Sequence, residues 1–527
     1  MRWLIDGGYL YWLNVHSGTV LLLTAYGAVR FWRGITARRN VLALSLLTLA
    51  LGIWYSGLAP ARPAVFYDEF FYAATARNMA ASGHAEPLCY RGWPPQTVSV
   101  GFPKPPYPVG WPYLVSLDWR WHKLLDAEAA DAVPVWERGA EVNRILYVLM
   151  PLLLFWGLCL DYPPALAWLG ALLFAAVPAV QRLGHCGSSE GSALFALLLA
   201  FWAWRVWHKW GGVTAGIWCI TCAVWIAEMR TDGMIWTLLF LGAMLLEIWR
   251  HKSERLSWKP VMAGGLLVLV WLMPPVAISV CHPADSAHHF QAIPRADLTM
   301  AANRLYNVGN NFIGMWDNKI WPLPLTILAM WGLFGRSRRE AGLWLALGTC
   351  ITLLFSWFPF GDFDCVYSWD TWRFTYHLLL PAVVLSLLGL SGIWQRRCKA
   401  EMVAVSLPLL MMLANFLVPN AFLVAPHPLQ RVFDYSSELK GCIGDSPVVA
   451  ETEEMAYLLR YGCALPAVWG PVQTWPAEGA AVVKSEANQP VIIPKPGEKW
   501  QLVSADLKLD PHIRVYFVTA AAEGLPR

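Results

Sequence analysis

The chain has 527 residues, of which 57% are hydrophobic and only 14% charged, with 32 tryptophans among them. Soluble domains carry about 25% charged residues, so the deficit argues against an ordinary globular enzyme and for a polytopic membrane protein. A formal net charge of +4 gives no electrostatic reason to expect nucleic acid as a partner.

In chain order, apolar runs near 9–29, 41–58, 142–160, 164–181, 191–207, 212–229, 233–249, 261–281, 323–335, 341–358, 374–394 and 401–418 predict about twelve transmembrane helices. The first is the weakest, because it carries Asn14 and His16. Basic residues set the orientation. Arg30, Arg33, Arg38 and Arg39 follow the first run, Arg250, Lys252, Arg255 and Lys259 the seventh, Arg336, Arg338 and Arg339 the ninth, and Arg396, Arg397 and Lys399 the eleventh. All these loops fall on one side, which the positive-inside rule makes cytoplasmic. Segments 59–141, 182–190, 230–232, 282–322, 359–373 and 419–527 are then expected outside. No cleavable signal peptide is read at the N-terminus, so the first spans are expected to direct insertion. No internal repeat or low-complexity tract is present.

The expected division is a membrane domain over 1–418, with a long outer loop at 59–141, and a small soluble α/β unit over 419–527. In the tail, Ser446–Ala450, Ala464–Trp469, Val482–Lys484, Pro490–Ile493, Trp500–Val503 and Arg514–Val518 read as strands, and Glu453–Tyr461 as an amphipathic helix. Cys442 and Cys463 share this unit and are the first candidate disulfide. Cys219 and Cys222 form a CxxC inside an apolar run, where they read as packing residues.

The most unusual stretch is Phe66–Gly83, in which Asp68 and Glu69 stand among Tyr67, Phe70, Phe71 and Tyr72. Acids set among aromatics at a membrane surface are costly to desolvate and call for a cation, a metal or a substrate. They also suit the start of a helix over 70–81, where the dipole and unpaired N–H groups favour negative charge. Further on, Lys104 is enclosed by Phe102, Pro103, Pro105, Pro106 and Tyr107, a stiff setting that holds an ammonium near the surface. Trp93, Trp111 and Trp119 read first as interfacial anchors, and second as sugar-stacking platforms.

Gly184–Gly191 reads as an outer turn, with Ser188 or Ser189 capping the next helix and Glu190 in its first turn. Arg230 breaks the charge rule and needs a partner, either Asp232 or a lipid phosphate, with the local pair favoured. In the loop with His282, Asp285, His288 and His289, only Asp285 and His289 have the spacing of a shared helix face. Asp362 and Asp364 form a lone D-x-D, which reads as a solvated turn. Arg373 enters the eleventh run from outside, either as a phosphate ligand or as a snorkelling arginine.

Tyr67-Asp68-Glu69-x-x-Tyr72, the Ala-rich helix ending Met79-x-x-Ser82-Gly83, and Lys104-Pro105-Pro106 together resemble the polyprenyl-phosphate-dependent membrane glycosyltransferases of the GT-C fold. By motif the nearest are the aminoarabinose transferases of lipid A and the protein O-mannosyltransferases. The motifs cover about residues 60–115, and the remainder is similar in topology. The resemblance implies sugar transfer from a polyprenyl-phosphate donor to a lipid, glycan or protein acceptor, with inversion, at the outer face of a bacterial inner membrane.

Such chemistry needs a carboxylate to orient or deprotonate the acceptor and cations at the departing phosphate. By resemblance Asp68 is that carboxylate, Glu69 supports it or binds a divalent metal, and Lys104 and Arg373 meet the lipid phosphate. Tyr72, Tyr107, Glu190 and His185 would line the substrate cavity, and His288 or His289 would complete a metal site with Glu69. A transporter or flippase for lipid-linked sugars is the alternative. Transporters, however, tend to show repeats and ionisable residues at the bilayer midplane, and here the distinctive charges lie in outer loops. A catalytically dead scaffold of the same fold is a third reading.

Overall fold

Apolar segments that leave water must close their backbone hydrogen bonds internally, so the runs read from the sequence, where they lie among the described residues, fold as helices. The computed structural model describes residues 9–61, 66–83, 88–93, 96–99, 109–126, 135–250, 263–273, 323–333, 338–357, 376–396, 446–450, 467–472, 480–485, 499–502 and 513–519, with scattered positions between. The helices are α1 (Tyr9–Gly34), α2 (Arg38–Leu58), α3 (Phe66–Ser82), α4 (Gly110–Leu125), α5 (Val135–Leu158), α6 (Pro164–Ala175), α7 (Pro178–Leu183) and α8 (Ser189–Trp210). They continue with α9 (Val213–Met229), α10 (Met234–Arg250), α11 (Ala263–Met273), α12 (Leu323–Leu333), α13 (Arg338–Trp357) and α14 (Tyr376–Arg396).

Among the described residues, three helices are long and apolar enough to cross a bilayer, over Arg38–Leu58, Trp136–Leu158 and Tyr376–Ile393, as an integral membrane protein requires. The expected run at 401–418 lies almost wholly outside the described residues.

Three local departures matter for the site. The run at 164–181 is broken in two, because Pro178 opens α7 and Val177 before it is extended (φ −64°, ψ 124°). Helix α3 starts at Phe66, four residues earlier than expected, which places Asp68 and Glu69 inside its first turn. Helix α4 was not anticipated at all; it opens on Gly110, whose Cβ would meet the Glu228 carbonyl oxygen at 2.5 Å.

The bundle core forms where α5, α8 and α9 meet. Trp202 is fully buried and lies edge-on to Trp218, with centroids 5.0 Å apart, and 4.9 Å from Trp156. Cys219 and Cys222 are buried, free thiols in this layer, in keeping with a packing role.

The tail strands are β3 (Val448–Ala450), β4 (Ala467–Val472), β5 (Ala480–Ser485), β6 (Lys499–Leu502) and β7 (Ile513–Thr519), close to the runs read from the sequence. The run at 490–493 lies outside the described residues. The tail is not a separate sheet, however. A hairpin between α3 and α4, β1 (Leu88–Trp93) and β2 (Gln96–Ser99), adds to it, giving seven strands in the order β2-β1-β4-β3-β5-β7-β6. Strand β1 runs parallel to β4, with Arg91 opposite Trp469 and Trp93 opposite Val472. The segment between α3 and α4 and the tail therefore share one sheet. Cys463 is buried and unbridged, and Cys442 lies outside the described residues.

Candidate active site

Helix α3 is short and buried almost all round. Phe70, Phe71, Tyr72, Ala73, Ala74, Ala76 and Met79 all pack inward, so the acids of its first turn are carried inside with them. Asp68 keeps 7% of its surface and Glu69 only 1%. Such burial demands donors. Glu69 Oε2 accepts the Gly187 backbone N–H at 2.9 Å, and the Gly187 carbonyl accepts the Trp111 indole N–H at 2.9 Å. A Cβ at Gly187 would lie 3.1 Å from Glu69 Oε2 and 3.2 Å from the Trp136 carbonyl, so the bare backbone is what lets the carboxylate approach. Beside this contact lies a narrow crevice lined by Glu69, Tyr72, Trp111, Trp136, Gly139 and Gly187. Trp111 and Trp119 are buried against protein, which corrects their reading as membrane anchors.

The Gly184–Gly191 turn is held from α5. Asn143 Nδ2 donates to the carbonyls of Cys186 (2.6 Å) and Ser188 (2.8 Å). Capping does not account for the turn. Ser188 occupies the cap position, yet its hydroxyl pairs with Cys186 Sγ at 3.1 Å, and Glu190 turns to Arg230. His185 Nδ1 donates to the Gln181 carbonyl at 2.6 Å, and the ring lies edge-on between Tyr55 and Tyr147, each 5.4 Å away. Burial pushes its pKa down to about 4; the Gln181 carbonyl opposes this and Arg144 adds to it. The imidazole is neutral at neutral pH and faces two tyrosines rather than the acids of α3.

The third component is the turn between α9 and α10. The Arg230–Asp232 pair expected from the sequence forms, and it is two-pronged, with Nε to Oδ1 at 2.9 Å and Nη2 to Oδ2 at 3.2 Å. Nη1 also donates to Glu190 Oε1 (2.6 Å) and Ser189 Oγ (3.0 Å), and the Ser189 hydroxyl donates to Tyr72 Oη (3.1 Å). From α14, Tyr376 donates to Asp232 Oδ1 at 3.2 Å and His377 Nε2 lies 3.1 Å from Oδ2. Burial alone would raise the Asp232 pKa, but Arg230 and His377 more than reverse it, and the carboxylate stays ionised. Burial raises the Tyr72 phenol, and the nearby Asp68 charge raises it further. The Tyr72 phenol therefore stays protonated.

Of the residues singled out from the sequence, Asp68, Glu69, Tyr72 and Glu190 come together at one end of the bundle, and His185 packs behind the same turn. Lys104, Tyr107, His288, His289, Asp362, Asp364 and Arg373 lie outside the described residues. The Gly187 backbone, Asn143, Tyr376 and His377 were not foreseen as part of the site. Glu228 was also missed. It is fully buried near the end of α9, with Oε1 2.7 Å from His16 Nδ1. An acid inside an apolar run is itself a signal.

No family model and no curated protein matches the chain. Solved structures do. ArnT from Cupriavidus metallidurans bound to undecaprenyl phosphate is 12% identical, covers 93% of this chain and 100% of its own, and superposes with a TM-score of 0.56. The archaeal oligosaccharyltransferase AglB from Archaeoglobus fulgidus, in complex with an inhibitory peptide and a dolichol-phosphate, is 11% identical over 82% of this chain, with a TM-score of 0.52. The chain spans 64% of the length of that oligosaccharyltransferase. At such identities the likeness establishes the fold, which is the GT-C fold of membrane glycosyltransferases.

Proposed function

We propose that this chain, on its GT-C fold, is an integral membrane glycosyltransferase that moves a sugar from a polyprenyl-phosphate donor to a lipid, glycan or protein acceptor on the extracytoplasmic face. The observation that carries the reading is the burial of Asp68 and Glu69, one of them pinned by a backbone N–H, in a fold shared with proteins solved with undecaprenyl phosphate and dolichol-phosphate. In the step, the acceptor oxygen attacks the anomeric carbon and its proton passes to Asp68. The sugar–phosphate bond breaks, and the polyprenyl phosphate leaves with the electron pair. Attack from the opposite face inverts the centre.

Arg230 already serves two carboxylates, so it is poorly suited to meet the phosphate. That role falls to Lys104 and Arg373. Glu69 shapes the crevice, which must open to admit a sugar ring. The bundle of about twelve spans over 1–418 would sit in a bacterial inner membrane with this end outward, and the α/β unit over 419–527 would lie above it. Because the buried charges cluster at helix ends, the reading favours an enzyme over a transporter.

The test is transfer from a radiolabelled polyprenyl-phosphate sugar by the full-length protein in detergent. Asp68→Asn is expected to lose about 10²–10⁴-fold in turnover while keeping its membrane insertion and melting profile. Full activity in that variant overturns the role of Asp68. Movement of intact donor across liposomes without any transfer overturns the enzyme.

A further inference from the structure

Two turns along α4 from Trp111, a second set of polar groups faces the neighbouring helix. Asp118 and His122 are one turn apart and share a helix face, and Glu141 reaches them from α5. One ligand atom from each lies within 4.8 Å of the other two. His122 Nε2 stands 3.7 Å from Asp118 Oδ1. That is too long for a hydrogen bond and close to the separation of two ligands on one tetrahedral ion, about 3.4 Å for bonds near 2.1 Å. Among the described residues, Asp118 Oδ2 is a buried acceptor with no hydrogen-bond partner. The Asp118 and Glu141 carboxylates stand close enough to repel each other, with the Arg138 guanidinium beside Glu141.

We propose that Asp118, His122 and Glu141 hold a divalent cation that ties α4 to α5. One imidazole nitrogen and two carboxylate oxygens form a set suited to Zn²⁺ or Mn²⁺, and the ion's charge balances both acids. Arg138 donates to Glu141 Oε2 at 3.0 Å. A carboxylate can accept from a neighbour on one oxygen and ligate on the other, an arrangement that fixes ligands in metal sites. The side chains of His122 and Glu141 are 40% and 42% exposed, so an ion can enter from solvent and a chelator can remove it. The ion would sit between the helix that supplies Trp111 to the crevice and the helix that supplies Trp136 and Gly139. Its role is to fix the spacing of those walls, and it touches no reacting atom. The inference does not depend on the glycosyltransferase reading.

Full-length protein stripped with EDTA and titrated with ZnCl₂ or MnCl₂ is expected to take up about one equivalent and to melt several degrees higher. His122→Ala and Glu141→Gln are expected to lose both responses. Glu141 is partly exposed, so its variant keeps the test open even where His122→Ala fails to fold. Wild-type protein that neither takes up the ion nor shifts its melting overturns the site. So do His122→Ala and Glu141→Gln proteins that retain wild-type uptake, including uptake that disappears instead in Glu69→Gln or His289→Ala.

Discussion

The Gly184–Gly191 turn and the Arg230–Gly233 turn meet above α3, and they are held in opposite ways. The first is fixed mainly by shape and by neutral donors to its carbonyls. Asn143 spans two of its carbonyls and Trp111 takes a third, while at Gly184 and Gly191 a Cβ would lie 2.5 Å from Tyr147 Cβ and 2.6 Å from Asn143 Oδ1. The second is fixed by charge, with Arg230 shared between Asp232 and Glu190. The titratable groups follow suit. His185, buried among neutral rings, is driven to its uncharged form, whereas Asp232, equally buried, is kept ionised by the Arg230 guanidinium and the donors beside it. One site thus contains a wall that fails when an atom is added and a node that fails when a charge is removed.

The node should break most severely. Arg230→Met keeps most of the side-chain volume but leaves Glu190 and Asp232 buried without their guanidinium. Stripping one partner from a buried ionic group costs about 3–5 kcal/mol, so the melting temperature in detergent should fall sharply. Arg230→Lys should recover little, because an ammonium cannot reproduce two prongs on Asp232 while also reaching Glu190. An unchanged melting curve in both variants would mean that solvent, rather than Arg230, satisfies these acids.

Acid should loosen the wall through His185. Its pKa is about 4 in the folded protein against an ordinary 6.5. Between those values the unfolded chain binds a proton that the native state refuses, so stability is full above pH 6.5, falls as the pH drops towards 4, and levels off below. The loss is up to about 3 kcal/mol, taking ~1.4 kcal/mol per pKa unit. Thermal unfolding of wild type and His185→Asn at pH 7.5 and pH 4.5 isolates it. The gap between the two proteins should narrow or reverse at the lower pH, and a pH-independent gap would refute a neutral buried imidazole.

The two turns also differ in how far the sequence disclosed them. Arg230 was legible because a basic residue at the wrong end of a span needs a partner, and Asp232 stood two residues away. Asp68 and Glu69 were legible because adjacent acids among aromatics are rare, and the tail strands because they alternate or run apolar between turn residues. The clamp on Glu69 had no such signal. Its donor is the Gly187 backbone N–H, which every non-proline residue carries, and only the fold brings it to the carboxylate. An indole serves a membrane interface and a buried hydrogen bond equally well, so Trp111 was read as an anchor. The β1–β4 pairing joins segments far apart in the chain and depends on register that no local pattern encodes.

Adding a single methyl to the wall tests the shape side of the contrast. In Gly191→Ala the new Cβ would stand 2.6 Å from Asn143 Oδ1 and 2.8 Å from the Leu183 carbonyl oxygen, so backbone must shift. Overpacking of this kind costs about 1–3 kcal/mol, and displacement of Asn143 would loosen the Cys186 and Ser188 carbonyls as well. A variant melting like wild type would mean that the turn is plastic and does not define the wall.

The last change removes one hydrogen bond and trims a fully buried indole to a phenyl ring. Trp111→Phe deletes the indole N–H that holds the Gly187 carbonyl, leaving a buried acceptor unpaired at a cost of about 1–3 kcal/mol, at the lower end where the crevice lets the carbonyl relax. Gly187 also presents its N–H to Glu69, so the same loss should free the carboxylate to rotate. If the wall exists to aim Glu69, transfer by Trp111→Phe should fall further than its melting temperature predicts. Trp111→His, whose ring N–H can reach towards the same carbonyl, should then restore transfer in part. Equal losses of stability and turnover in both variants would instead make Trp111 a packing residue, and the clamp on Gly187 incidental to the chemistry.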